Sequence, residues 1–261
     1  PGTVSHFPAR KATVYLPPAA LVAHPPTLPV VILFGGQPGT PDQVFASTGL
    51  RRALDGFARA DRGLAPIVVA ADQLGTAHPN PMCVDGPLGN SATYVDVDVV
   101  SWIRSHFRVA APGSGWAIGG FSQGGTCAVQ FAARRPDLFS SFIDVAGEAG
   151  PTLGSAQATI DTGFGGSGAA YEAAQPAAIM ARRGSYRGVT GVFAVGQGDA
   201  KYADACRRVE GAARAAGMAV VHYTVAGSGH DWTTASHSFS YGIRYLYPRW
   251  GLAGTPPPQP K

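Results

Sequence analysis

Seven short apolar stretches recur along the chain, at residues 12–16, 29–34, 66–71, 116–119, 142–145, 189–195 and 220–225, each bounded by Gly, Pro or Asp. Most are near-continuous rather than alternating, the pattern of parallel strands covered on both faces. Between them the apolar spacing lengthens to that of helices. Residues 91–107 carry Val95, Val99, Trp102 and Ile103 on about one face, behind Asn90 or Ser91 as cap. Residues 126–134 continue a helix that stops before Pro136, residues 202–216 are Ala-rich and end at Gly217, and residues 232–247 close before Pro248. Strand and helix in alternation predict an α/β fold with a mostly parallel, doubly wound sheet, and right-handed crossovers put helices on both faces.

Two regions break this rhythm. Residues 73–90, with Pro79, Pro81, Gly86, Pro87 and Gly89, read as a long loop on the sheet edge where such folds bind ligands. Residues 147–188 are rich in Gly and Ala and read as an excursion over that edge or as a plain surface loop. Residues 1–253 are expected to form one domain, and the Pro-rich tail 254–261 to be extended or disordered.

Composition narrows the picture. The 261 residues are 45% hydrophobic and only 14% charged, with 35 Gly and 22 Pro, which suits a turn-rich core rather than a helical bundle. The net charge of +4 is carried by Arg far more than by Lys, which occurs only at Lys11, Lys201 and Lys261. The excess permits association with an anionic membrane surface, but no basic run interleaved with aromatics marks a nucleic-acid groove. No run of about 18 apolar residues or signal-peptide pattern occurs. An anchor or export signal upstream of Pro1 is compatible with this. Of the three cysteines, Cys127 reads as a buried free thiol, leaving Cys83 and Cys206 as the candidate disulfide. His78 and Cys83 lack paired ligand spacing, and Asp96 and Asp98 fall on different helix faces, so no metal is expected.

The strongest chemical signal is Gly119-Gly120-Phe121-Ser122-Gln123-Gly124-Gly125, between a strand and a helix. Glycines two before and two after the serine relieve a sharp strand-to-helix turn that lifts the hydroxyl above the sheet edge. An alcohol needs a base to act as nucleophile near neutral pH. In folds with this elbow the acid and then the histidine follow in chain order, leaving His230 and His237 as candidates. His230 lies in the Gly-rich loop before the last helix, where it can reach the elbow, whereas His237 falls inside that helix. Asp199 follows the penultimate strand and reads as the orienting acid or as a helix cap, with Asp204 one turn further on. Asp231 reads as the cap of the last helix. An oxyanion needs backbone donors, expected from Gln123 N–H and from Gln37 N–H in the loop Gly35-Gly36-Gln37-Pro38-Gly39, with Gly36 as the substitute. Gly36 and Trp232 are candidates for the substrate pocket.

With Gly120-Phe121-Ser122-Gln123-Gly124-Gly125, Arg135-Pro136-Asp137-Leu138-Phe139, Gly198-Asp199 and Gly229-His230-Asp231-Trp232 in place, the chain resembles the esterase D and mycolyltransferase branch of the α/β-hydrolases, the group containing the antigen 85 proteins. The resemblance covers most of residues 28–250. It implies catalysis by Ser122, Asp199 and His230, no dissociable cofactor, a small-molecule or lipid ester substrate and a location outside the cytoplasm. Two departures stand out: Gly35 occupies a position often held by His, and residues 147–188 match no pattern of the branch. The expected reaction is hydrolysis of a lipid, envelope-related or small acyl ester through an acyl-enzyme. Transfer of a long acyl chain to a sugar such as trehalose is the second reading, and release of an aminoacyl group from a phospholipid the third. Peptidase activity and a noncatalytic binding domain on the same scaffold complete the alternatives.

Overall fold

In the computed structural model, which describes residues 2–76 and 80–253, all seven apolar stretches become strands of one sheet. They are β1 (Thr13–Tyr15), β2 (Val30–Phe34), β3 (Ile67–Ala70), β6 (Gly113–Phe121), β7 (Phe139–Val145), β8 (Thr190–Gly196) and β9 (Ala219–Val225), while β4 (Asp85–Gly86) and β5 (Gly89–Asn90) form a separate two-stranded ribbon. The sheet order is β1-β3-β2-β6-β7-β8-β9, parallel throughout except for β1, which runs antiparallel to β3 at one edge.

Alternation along each strand divides the core in two. Val30, Ile32 and Phe34 join Trp116, Ile118, Phe142 and Phe193 on one face, while Val31 and Leu33 join Val68, Ala117, Ile143 and Val192 on the other. Helices α1 (Gln43–Ala46) and α2 (Leu50–Ala60) link β2 to β3; α3 (Ser91–Thr93) passes through a π-helical turn, Tyr94–Val99, into α4 (Val100–His106); α5 (Gln123–Arg134) follows β6. After β7 come α6 (Ala156–Gly163), α7 (Gly168–Ala174) and α8 (Pro176–Arg183), then α9 (Ala200–Ala215) after β8 and α10 (Trp232–Leu246) after β9. The first face is covered by α5 and α9 through Phe131, Cys206 and Val209, the second by α2 and α10 through Leu54, Phe239 and Ile243. Apolar side chains buried on both faces are what keeps such a sheet out of water, at about 25 cal/mol per Å² of apolar area covered.

Residues 147–188 are largely helical, and the reason is local. Ser155 and Ser167 cap α6 and α7 by accepting from Ala158 N–H and Ala170 N–H. Pro176 starts α8, and Gly184, in the left-handed region, ends it. The connection 43–60 is also helical, with Leu50, Leu54 and Ala58 buried at a helical interval.

The cysteines pair differently from the expectation. Cys83 is bonded to Cys127, with 5.6 Å between their Cα atoms, and Cys206 is the free, buried thiol. The loop after β3 folds back onto α5, so Cys83 meets the helix behind Ser122 rather than α9. The tail 254–261 and His78 lie outside the described residues. Among the described residues no helix is long and apolar enough to cross a membrane.

Candidate active site

The C-terminal ends of β2, β6, β8 and β9 bring the candidate residues together. Ser122 sits between β6 and α5 with φ 57° and ψ −121°, a conformation that favours glycine. Its N–H donates to Val145 C=O of β7 at 2.8 Å. A side chain on Gly120 would overlap the Gly124 backbone, and a Cβ on Gly124 would lie 2.6 Å from Gly35 O. Both glycines are therefore required by the close approach of the turn.

His230 bridges the other two residues. Its Nε2 is 2.9 Å from Ser122 Oγ and its Nδ1 is 2.8 Å from Asp199 Oδ2. A carboxylate only accepts, so Nδ1 carries the proton and Nε2 offers its lone pair to the serine hydroxyl. This arrangement can deprotonate Ser122 as it attacks an electrophile and then return the proton to a leaving group. Asp199 is buried, and its second oxygen accepts from Tyr202 N–H at the start of α9. It is at once the partner of the histidine and a helix cap, so its carboxylate is fixed by the helix it begins.

Aromatic rings hold the imidazole. Tyr202 stacks on His230 at 3.8 Å and 19°, and Phe121 lies 4.8 Å away on a tilted plane. Trp232 packs 5.4 Å from Phe121, behind the ring that touches His230. Asp231 caps α10 through Thr234 N–H and also accepts from Ser228 Oγ and Gly229 N–H; these bonds hold its carboxyl below the usual range. The two rivals lie apart from the triad: His237 is exposed on α10, and Asp204 is exposed beside Arg207 and Arg208, 3.6 Å from each.

The loop after β2 lies against the nucleophile. A Cβ on Gly36 would be 3.2 Å from Ser122 Cβ, a tight contact that a glycine avoids as the loop approaches the nucleophile. Gln37 is exposed and lines a cavity of about 210 Å³ with Arg10, Pro38, Leu74, Gly75, Thr76 and Asn80. Arg10 forms a two-pronged ion pair with the buried Asp72 at 2.6 and 3.0 Å and donates to Gly39 C=O at 3.0 Å. The bond to Asp72 holds the guanidinium in its charged form. Gln73 Nε2 donates to Gly35 C=O at 2.7 Å.

Behind the nucleophile helix, Asp144 is fully buried and burial pushes its carboxyl up to about 7, opposed in part by a bond from Gly147 N–H. Glu148 is also raised by burial, with Lys201 pulling the other way. Among the described residues one grouping has metal-ligand chemistry, Cys206, Glu210 and His222, with donor atoms within 4.8 Å of one another. Glu210 is already shared between His222 Nδ1 at 2.8 Å and Arg214 at 2.6 Å, and burial pushes the Cys206 thiol well above its ordinary value. Those contacts favour an ion-pair network over a metal centre.

Tyr202, Arg10, Asp72 and Gln73 do not figure among the residues expected from sequence. Asp72 and Gln73 lie two and three residues past the strand end at Ala70, on the edge where the other site residues lie, and that position is the signal that points to them.

The Esterase family model matches residues 8–246. An uncharacterised protein of Corynebacterium glutamicum is 36% identical over 255 residues, covering 96% of this chain; the chain spans about 60% of that relative's length. An S-formylglutathione hydrolase from Agrobacterium tumefaciens superposes with a TM-score of 0.76 at 20% identity, over 92% of this chain and 90% of that one. A ferulic acid esterase from Anaeromyces mucronatus gives 0.65 at 16% identity over 92% and 91%. MPT51 of Mycobacterium tuberculosis gives 0.64 at 15% identity over 92% of each chain. These likenesses establish the α/β-hydrolase fold, and with the match across residues 8–246 the chain belongs to the Esterase family of hydrolases.

Proposed function

We propose that the protein is a serine esterase that cleaves a carboxylic ester in two steps. Ser122 Oγ attacks the ester carbonyl while His230 takes its proton. The tetrahedral anion is held by the N–H groups of Gln37 and Gln123, and His230 returns the proton to the departing alcohol. Water then repeats the sequence on the acyl-enzyme and releases the acid. Asp199 keeps the imidazole in the productive tautomer and balances the imidazolium. The observation that carries this reading is the chain of bonds from Ser122 through His230 to Asp199, at 2.9 and 2.8 Å, on a strained elbow.

The cavity of about 210 Å³ beside Gln37 is lined by Arg10, Thr76 and Asn80 as well as Leu74, and this polar lining supports a compact ester with polar substituents. The Cys83–Cys127 bond supports a location outside the reducing cytoplasm, since such bonds persist in oxidising compartments.

The test is a series of esters of graded acyl length, with the Ser122→Ala variant as control and a sugar acceptor added in parallel. Turnover of compact esters that Ser122→Ala abolishes is expected. Preference for long-chain lipid esters, or acyl transfer to the sugar in place of water, would replace the substrate reading with one centred on envelope lipids. Equal turnover by Ser122→Ala would remove the serine mechanism.

A further inference from the structure

The two backbone donors assigned to the oxyanion hole lie on different segments, Gln37 after β2 and Gln123 at the start of α5. Hydrogen bonds weaken steeply with distance and angle, so the spacing between those segments sets how well both N–H groups serve one oxygen. A third segment joins them. Gln73, 3% exposed, sits three residues past the end of β3, and its Nε2 is 2.7 Å from Gly35 C=O and 2.7 Å from Gln123 Oε1. A side-chain amide nitrogen carries two hydrogens, and each acceptor takes one.

The surroundings fix the orientation of this bridge. Gln123 Nε2 is turned toward Asn80 Oδ1 at 3.0 Å and the Cys127 sulfur at 3.1 Å, so its oxygen faces Gln73. Gln73 C=O accepts from the buried Ser91 Oγ at 2.9 Å. At the far end of the same loop, Asp72 holds the Arg10 guanidinium that donates to Gly39 C=O. Two consecutive residues, Asp72 and Gln73, therefore grip both ends of residues 35–39.

We infer that Gln73 is a positioning residue of the oxyanion hole: by tying Gly35 to Gln123 it sets the separation of the two backbone donors. This rests on the triad reading above. The Gln73 amide hydrogen-bonds to Gly35 and Gln123 and not to Ser122 or His230, so its effect is exerted through the donors and appears in the transition state rather than in ground-state binding.

Gln73→Met keeps the length and bulk of the side chain and removes both hydrogens. Active sites are first counted by stoichiometric reaction with a fluorophosphonate; failure of the wild-type protein to react at Ser122 would refute the triad reading and this inference with it, whereas normal reaction leaves the variants to test this inference alone. Per titrated site, kcat is expected to fall about 10- to 100-fold, less than the loss of a whole donor, with KM within about threefold of wild type. The inhibition constant of a trifluoromethyl ketone, which adds to the serine as a tetrahedral anion, should rise by the same factor as kcat/KM falls. Gln123→Met breaks the Gln73–Gln123 bond from the other side, together with the Gln123 Nε2 contacts to Asn80 and Cys127, and keeps the backbone donor. It stands in if Gln73→Met does not fold, and where both fold, the double variant should lose little more than either single. Unchanged kcat per site, a kcat loss without a matching change in ketone binding, or additive losses in the double variant would overturn the inference.

Discussion

The two walls of the site are built by different means. On one side Ser122, Asp199 and His230 stand where strands end, and the backbone sets their positions: β6 and β7 are paired in register beneath Ser122, and Asp199 is fixed by the helix it caps. On the other side the described residues of 73–90 contain only the two short strands β4 and β5, and their position is set by side chains and a covalent bond. Cys83 is bonded to Cys127, Asn80 accepts from Gln123, and Gln73 joins Gly35 to Gln123. The difference teaches that the walls fail differently. A change at Ser122, His230 or Asp199 is expected to remove rate and leave the fold, whereas a change in the loop wall is expected to cost stability and loosen the site by degrees.

The largest effect separates the two histidines. His230→Ala is expected to lower kcat by about 10⁶, with thermal unfolding little changed, while His237→Ala keeps wild-type turnover; the reverse pattern would move the base to α10. Asp199→Asn keeps an oxygen for the α9 cap but disturbs the tautomer, so a rate loss of about 10⁴ without comparable loss of stability is the expected steady-state and melting result. An equal loss in Asp204→Asn would contradict the assignment.

For the loop wall, Cys83→Ser opens a bond that closes a separation of 44 residues. Chemical denaturation should show a loss of about 2–4 kcal/mol, with kcat per titrated site falling much less than in the triad variants. Alkylation under denaturing conditions should find one thiol in the wild type, Cys206. Finding Cys127 alkylated instead would restore the Cys83–Cys206 pairing.

A buried carboxyl beneath the helix of the nucleophile gives a pH test. Burial raises Asp144 to about 7, so between an ordinary carboxylate value of about 4 and that pH the native state keeps a proton that the unfolded chain releases. Its contribution to stability is therefore most favourable in acid and declines as pH rises through that window. Asp144→Asn removes the decline: denaturation midpoints should be close to wild type near pH 4 and higher than wild type at pH 8. A wild-type slope retained in the variant would assign it to another group. The smallest effect is expected at Tyr202, whose ring lies over His230; Tyr202→Leu should cost about 1 kcal/mol of transition-state stabilisation, about fivefold in kcat/KM.

The sheet and the triad were legible because their signals are local. Glycines flanking Ser122 state a turn that needs them, apolar runs mark the strands, and Asp199 and His230 each lie within five residues of a strand end. The caps of α6 to α8 were equally local, at Ser155, Ser167, Pro176 and Gly184, but the Gly- and Ala-rich composition of residues 147–188 masked them. The loop wall was not legible in the same way. Gln73 and Gln123 are 50 residues apart and Asn80 and Gln123 are 43 apart, and no motif records such contacts. Cys127 read as a buried helix thiol because its partner approaches only once the loop has folded back over α5.

The central claim is that His230, oriented by Asp199, activates Ser122. Reaction with a fluorophosphonate, followed by intact mass and peptide mapping, tests it most directly. A single adduct on Ser122 in the wild type, formed far more slowly in His230→Ala, is the predicted result. A folded wild-type protein that takes up no label, or takes it up on another residue, would contradict it.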